Sequence, residues 1–178
     1  MLKKMMLLAL SACALVAFAI PAAAQAVQLT DEGETVPKGT KVTATSTNLK
    51  TTTLAGTLEC AKVTIHGTVL DPGPTQVVIG ETVTTTEGCN ALITNPTAGT
   101  ITINSGTGTA TGASFTADLG GGVQCTIAGN LGFTYTSGTD VLNIPGSTLT
   151  NSCGGTGNMH GSFTLETPEG ETPIEIDA

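Results

Sequence analysis

A heptapeptide ending in cysteine occurs twice in this chain, and its surroundings recur with it. Leu54-Ala55-Gly56-Thr57-Leu58-Glu59-Cys60 and Leu119-Gly120-Gly121-Gly122-Val123-Gln124-Cys125 share the pattern Leu-x-Gly-x-Leu/Val-Glu/Gln-Cys. Thr43-Ala44-Thr45 stands before the first and Thr109-Ala110-Thr111 before the second. Downstream, Thr86-Glu87-Gly88-Cys89 answers to Thr150-Asn151-Ser152-Cys153, and Gly99-Thr100-Ile101-Thr102-Ile103 to Gly161-Ser162-Phe163-Thr164-Leu165. The elements keep one order at an offset of 62 to 66 residues. Residues 40–166 therefore read as one domain made of two copies, about 40–104 and 105–166.

Four cysteines allow three pairings. The repeat favours the symmetrical one, Cys60–Cys89 with Cys125–Cys153, because the two spacings, 29 and 28 residues, match. A closed loop of that size stabilises a fold by roughly 3–4 kcal/mol on the chain-entropy model.

The local pattern within each copy is strand. Leu54, Gly56, Leu58 and Cys60 fall on one face and Ala55, Thr57 and Glu59 on the other, and Val123, Cys125 and Ile127 repeat the alternation. Further β-branched runs cover 41–48, 61–70, 75–86, 99–103, 113–119, 131–136, 140–144 and 157–167. Turns are expected at Asp71-Pro72-Gly73-Pro74, Asn95-Pro96, Asn104-Ser105-Gly106, Ser137-Gly138 and Pro145-Gly146. Roughly ten short strands with no helical period predict an all-β antiparallel sandwich or barrel. The 35 Thr and 23 Gly among 178 residues agree with this. Threonine favours strands and tolerates water, so few aliphatics suffice for a thin core supported by disulfides.

The ends of the chain differ from its middle. Lys3 and Lys4, an apolar run from Met5 to Ile20 and small residues at Ala22 and Ala24 form an export signal, 1–24, cleaved before Gln25. Cleavage after Ala26 fits equally well. Leu10-Ser11-Ala12-Cys13 offers a competing lipoprotein reading with lipidation at Cys13, although the residues after it stay apolar. Residues 25–39, with Asp31, Glu32 and Glu34, and 167–178, with Glu169, Glu171, Glu175 and Asp177, read as acidic tails, the second disordered.

Without the signal, 4 Lys face 14 Asp and Glu, and there is no Arg. That balance argues against nucleic acid as a partner, since phosphates would be repelled. Removal of the signal leaves no membrane span. The chemistry-bearing residues are scattered. His66 and His160 have no Cys or His at ligand spacing, no Gly-x-Ser-x-Gly occurs, Asp118 and Asp140 are isolated, and the acids of 31–34 match no calcium loop. No catalytic, cofactor or metal site is expected. Threonine rows at Thr43-Thr45-Thr47, Thr82-Thr84-Thr86, Thr107-Thr109-Thr111 and Thr134-Thr136 are expected on exposed faces, suited to self-association or weak contact with carbohydrate and surfaces.

The signal segment, the Thr/Gly-rich strands, and Leu58-Glu59-Cys60 followed by Gly67 and Gly88-Cys89 resemble the small exported proteins called protein activator of alkane oxidation. The resemblance spans about Thr40 to Glu166 and departs from that family in the two-copy pattern. It implies an exported surface or matrix protein tied to hydrophobic-substrate use, attachment or biofilm, with no catalytic residues. The functional expectation is a secreted or cell-surface, non-catalytic β protein, in the periplasm or outside the cell. The alternatives are a pilus-type subunit that donates a terminal strand and an enzyme whose site the sequence hides.

Overall fold

The computed structural model describes residues 26–168 and 172–178. The export segment, the cleavage site before Gln25 and Cys13 lie outside the described residues, as do Glu169 and Glu171. Among the described residues none is helical, and fourteen strands form. They are β1 (Gln28–Asp31), β2 (Glu34–Thr35), β3 (Lys41–Ser46), β4 (Lys50–Thr53), β5 (Gly56–Glu59), β6 (Lys62–Asp71) and β7 (Val77–Glu87). There follow β8 (Leu92–Thr97), β9 (Thr100–Asn104), β10 (Thr107–Asp118), β11 (Gln124–Thr134), β12 (Val141–Asn151), β13 (Thr156–Glu166) and β14 (Ile174–Asp177).

Hydrogen bonding runs in the order β12-β11-β10-β9-β7-β6-β3-β13, and β13 pairs back onto β12. The result is a closed, eight-stranded antiparallel barrel. Of the two architectures the alternation allowed, closure is the one that pairs the outer strands with each other and removes exposed edges. Residues of one pleat face point inward, so Val63, Ile65 and Val69 of β6 meet Ile101 and Ile103 of β9, Phe133 of β11 and Phe163 of β13 in one apolar cluster. The two copies map onto the two halves of the ring: β3 to β9 form one and β10 to β13 the other. The expected boundary at 104/105 falls in the β9–β10 turn.

Strands of ten to twelve residues bend around so small a barrel only by breaking register. Shifts occur in β6 between His66 and Thr68, in β10 between Ala110 and Ala113, and in β12 between Ile144 and Ser147. Two expected turns are corrected here. Pro145-Gly146 is a bulge inside β12, where Gly146 takes φ 151° and the ladder to β13 resumes beyond it. Asn95-Pro96 lies within β8.

A similar bulge at Glu81 (φ 51°) changes which face of β7 points inward. Val77 and Ile79 face the core before it, and Thr82, Thr84 and Thr86 are the half-buried set after it, while Val83 and Thr85 are exposed. One extra residue reverses every later side chain on a strand. The exposed row expected at Thr82-Thr84-Thr86 is therefore an inner row. Thr43 is also buried, with its hydroxyl 3.1 Å from His66 Nδ1. Thr107, Thr111, Thr134 and Thr136 are exposed as expected.

The acidic ends are not loose tails. β14 pairs with β1 from Gln28↔Asp177 to Asp31↔Ile174, and β2 adds a third strand. Alternation explains the outcome: Val27 and Leu29 on either side of Gln28, and Ile174 and Ile176 on either side of the exposed Glu175, are almost fully buried. This small sheet closes one end of the barrel. Val27 N–H donates to Pro74 O at 2.9 Å, and Gly138 N–H to Ile176 O at 2.8 Å, so both termini are tied to the loops β6–β7 and β11–β12.

Candidate functional site

The opposite end carries both disulfides: Cys60, in the link between β5 and β6, bonds Cys89 in the turn after β7, and Cys125 of β11 bonds Cys153 in the turn after β12. The pairing expected from the repeat is the one that forms. The positions are equivalent in the two copies, yet the hairpins they clamp differ. In the second copy β12 and β13 stay paired up to Thr150↔Thr156, beside the turn. In the first copy β7 pairs with β9 only over Val77 to Ile79, and β8 pairs with β10 alone. Among the described residues no ladder joins β7 to β8.

Sequence accounts for this seam. Nine residues separate Cys89 from Gly99, but seven separate Cys153 from Gly161. The longer segment contains Asn95 in a left-handed conformation (φ 50°) and Pro96, which has no N–H to donate. β8 thus leaves the register its counterpart keeps. The Thr82 hydroxyl, donating to Gly99 O at 2.7 Å, marks the lower limit of the seam. At the turn, Asn90 bridges to β5: its Nδ2 donates to Thr57 O at 2.9 Å and its Oδ1 accepts from Glu59 N–H at 3.0 Å.

Behind the seam the barrel is not filled. A cavity of about 80 Å³ occupies the interior at this end, several times the space one water needs. Thr84 and Thr86 of β7 border it on one side of the seam, and Ile93 and Pro96 of β8 on the other. Phe115 and Met159 lie among the remaining lining residues, none of which is charged. Thr84 Oγ1 is buried with no hydrogen-bond partner among the described residues. A desolvated hydroxyl left without a partner costs about 1–3 kcal/mol.

Exposed aliphatic side chains gather at this end among polar neighbours such as Thr57 and Asp118. Leu54 is 87% exposed, Leu92 66%, Val123 51% and Leu119 39%, and all four sit in or beside the turns that ring it. Val83, on the outer face of β7 next to the seam, is 60% exposed. The alternation that places Leu54 and Val123 on one strand face is corrected here: both lie in turns, Leu54 before β5 and Val123 before β11, and their side chains are exposed. The cavity is not legible in the sequence, because its lining comes from strands far apart in the chain.

The scattered polar residues stay apart. His66 and His160 are exposed on β6 and β13. Asp118 Oδ1 accepts from Gly120 N–H at 2.8 Å in the β10–β11 turn, whereas Asp140 precedes β12 at the closed end. Among the described residues no group of three or more His, Cys, Asp or Glu could hold a metal ion. Lys50 and Glu59 make an ion pair at 2.9 Å across β4 and β5, exposed enough to add little stability. Tyr135 anchors the closed end: its hydroxyl donates to Asn104 O at 2.7 Å and accepts from Gly106 N–H at 3.0 Å. Burial pushes its pKa above the ordinary 10.0, partly offset by the Gly106 hydrogen bond.

The class defined by this geometry is a closed antiparallel barrel, plugged at one end by its own termini and carrying exposed aliphatic side chains at the other. Comparison with protein-family models, curated proteins and solved structures gives no match. Among the described residues no helix is long and apolar enough to cross a membrane.

Proposed function

We propose that this protein is exported and acts by contact, as a non-catalytic β-barrel that attaches to apolar surfaces at the cell exterior or in a matrix such as biofilm. The observation that carries this reading is the gathering of Leu54, Leu92, Leu119 and Val123 at one end. Exposed apolar side chains grouped in one region mark interaction sites in proteins that otherwise keep such groups inside. Two disulfides suit an oxidising compartment outside the cytoplasm, and the resemblance to protein activator of alkane oxidation points the same way. The strand donation of a pilus subunit gains no support, since Ile174–Asp177 is already paired with β1 of its own chain.

Retention of the purified, oxidised protein on alkyl-coated and on bare hydrophilic surfaces tests the proposal. The native chain should be held by the alkyl coating and the double variant Leu54→Ser/Leu92→Ser released from it, with attachment of a deletion strain reduced in parallel. Equal retention of both proteins, or attachment unchanged by deletion, would defeat it.

A further inference from the structure

We infer that the barrel binds one neutral, single-chain amphiphile, admitted through the seam between β7 and β8, with its polar group on Thr84 Oγ1 and its chain in the cavity. Three independent features meet at one place. The seam is a stretch of wall without backbone pairing, and both strands that border it line the cavity. The lining is apolar and uncharged, so an aliphatic chain gains from transfer out of water and an ionised head group would lose its hydration without compensation. The Thr84 hydroxyl has no partner among the described residues, and an alcohol, carbonyl or ester oxygen would supply one.

Water fits this site less well. A buried water is held by two to four polar partners, and largely apolar cavities stay dry and take up small apolar molecules. A carboxylate fits less well again, because no Lys or His lies in the lining and the mature chain is acidic. The inference does not depend on the apolar rim, which lies outside the barrel wall. It stands or falls with the interior.

The test uses the full mature chain with both disulfides formed. Amide correlation spectra are recorded during titration with 1-hexanol, n-heptane or hexanoate. Saturable, equimolar binding of 1-hexanol is expected, with shifts centred on Thr84, Ile93 and Phe115. Hexanoate should bind more weakly than 1-hexanol, and n-heptane, which has no hydroxyl to desolvate, is the control whose affinity Thr84→Val should not lower. Thr84→Val, which keeps the shape of the side chain, should weaken 1-hexanol about three- to tenfold, the value of one hydrogen bond, while the outward-facing Thr85→Val leaves it unchanged. Deleting Asn95 and Pro96 restores the seven-residue spacing of the second copy and should slow or abolish uptake. The inference is overturned if 1-hexanol does not bind, if Thr84→Val binds it as the native chain does, if hexanoate binds best, or if shifts appear only at Leu54 and Val123. Leu54→Ser/Leu92→Ser retains hexanol binding if the interior acts alone, and its loss in that variant would transfer the site to the rim.

Discussion

The two ends of this barrel use aliphatic side chains in opposite ways. At the plugged end Val27, Leu29, Ile174 and Ile176 come from the chain termini and are buried to within 1% of complete. At the other end Leu54, Leu92 and Val123 are more than half exposed, and two disulfides hold the turns that display them. One end is held by packing and the other by covalent cross-links. The difference shows that a barrel with few aliphatics has filled one mouth and braced the other, leaving a cavity beneath it.

The largest expected effect tests the bracing. Replacing Cys125 and Cys153 together by Ser should cost roughly 3–4 kcal/mol in urea unfolding, from the freed loop of 28-residue separation. A loss below about 1 kcal/mol, far short of the usual range, would mean the open end holds its shape by packing and the contrast between the ends disappears.

Next in size is a pair of matched truncations. Leu29→Ala removes a fully buried side chain from the plug and should cost about 2–5 kcal/mol. Leu54→Ala, at 87% exposure, should stay within about 0.5 kcal/mol of the native chain. Similar values for the two would show that the termini are not integral to the barrel.

The smallest effect concerns pH. Tyr135 at the plugged end has a raised pKa, so the folded chain resists ionisation that the unfolded chain accepts. Its stabilising contribution is complete below the ordinary tyrosine value of 10.0 and is lost as pH rises through the higher folded value. Thermal unfolding followed from pH 8 to 11 should show an alkaline decline, and Tyr135→Phe should flatten it, though at neutral pH the variant is weakened by the lost hydrogen bond to Asn104 O. An unchanged alkaline decline in Tyr135→Phe would assign the effect elsewhere.

Much of this architecture is legible in the order of the residues. The all-β class, the two-copy division and the disulfide pairing follow from local alternation and from matched cysteine spacing, both of which lie within short windows of sequence. Where the local pattern misleads, the cause is equally physical. Asp31, Glu32, Glu34, Glu175 and Asp177 dominate the composition of the ends, yet Val27 and Leu29 flank Gln28, Ile174 and Ile176 flank Glu175, and both segments form strands once each terminus finds the other 147 residues away. The inward Thr82-Thr84-Thr86 row depends on a bulge at Glu81, a non-glycine residue that carries no turn signature. Pro145-Gly146 reads as a turn in isolation, and only the partner strand β13 makes it a bulge.

The candidate site divides along the same line. By itself the sequence determined which cysteines pair, because the cross-links sit at equivalent points of a duplicated unit, and it recorded the two additional residues and Pro96 that separate the copies. Tertiary structure alone decided that those residues open a seam, that the seam faces an apolar cavity, and that Thr84 on its border keeps a buried hydroxyl without a partner among the described residues. The reason is geometric. A cavity is a property of strands brought together by closure, and the lining of this one runs from Leu49 to Phe163.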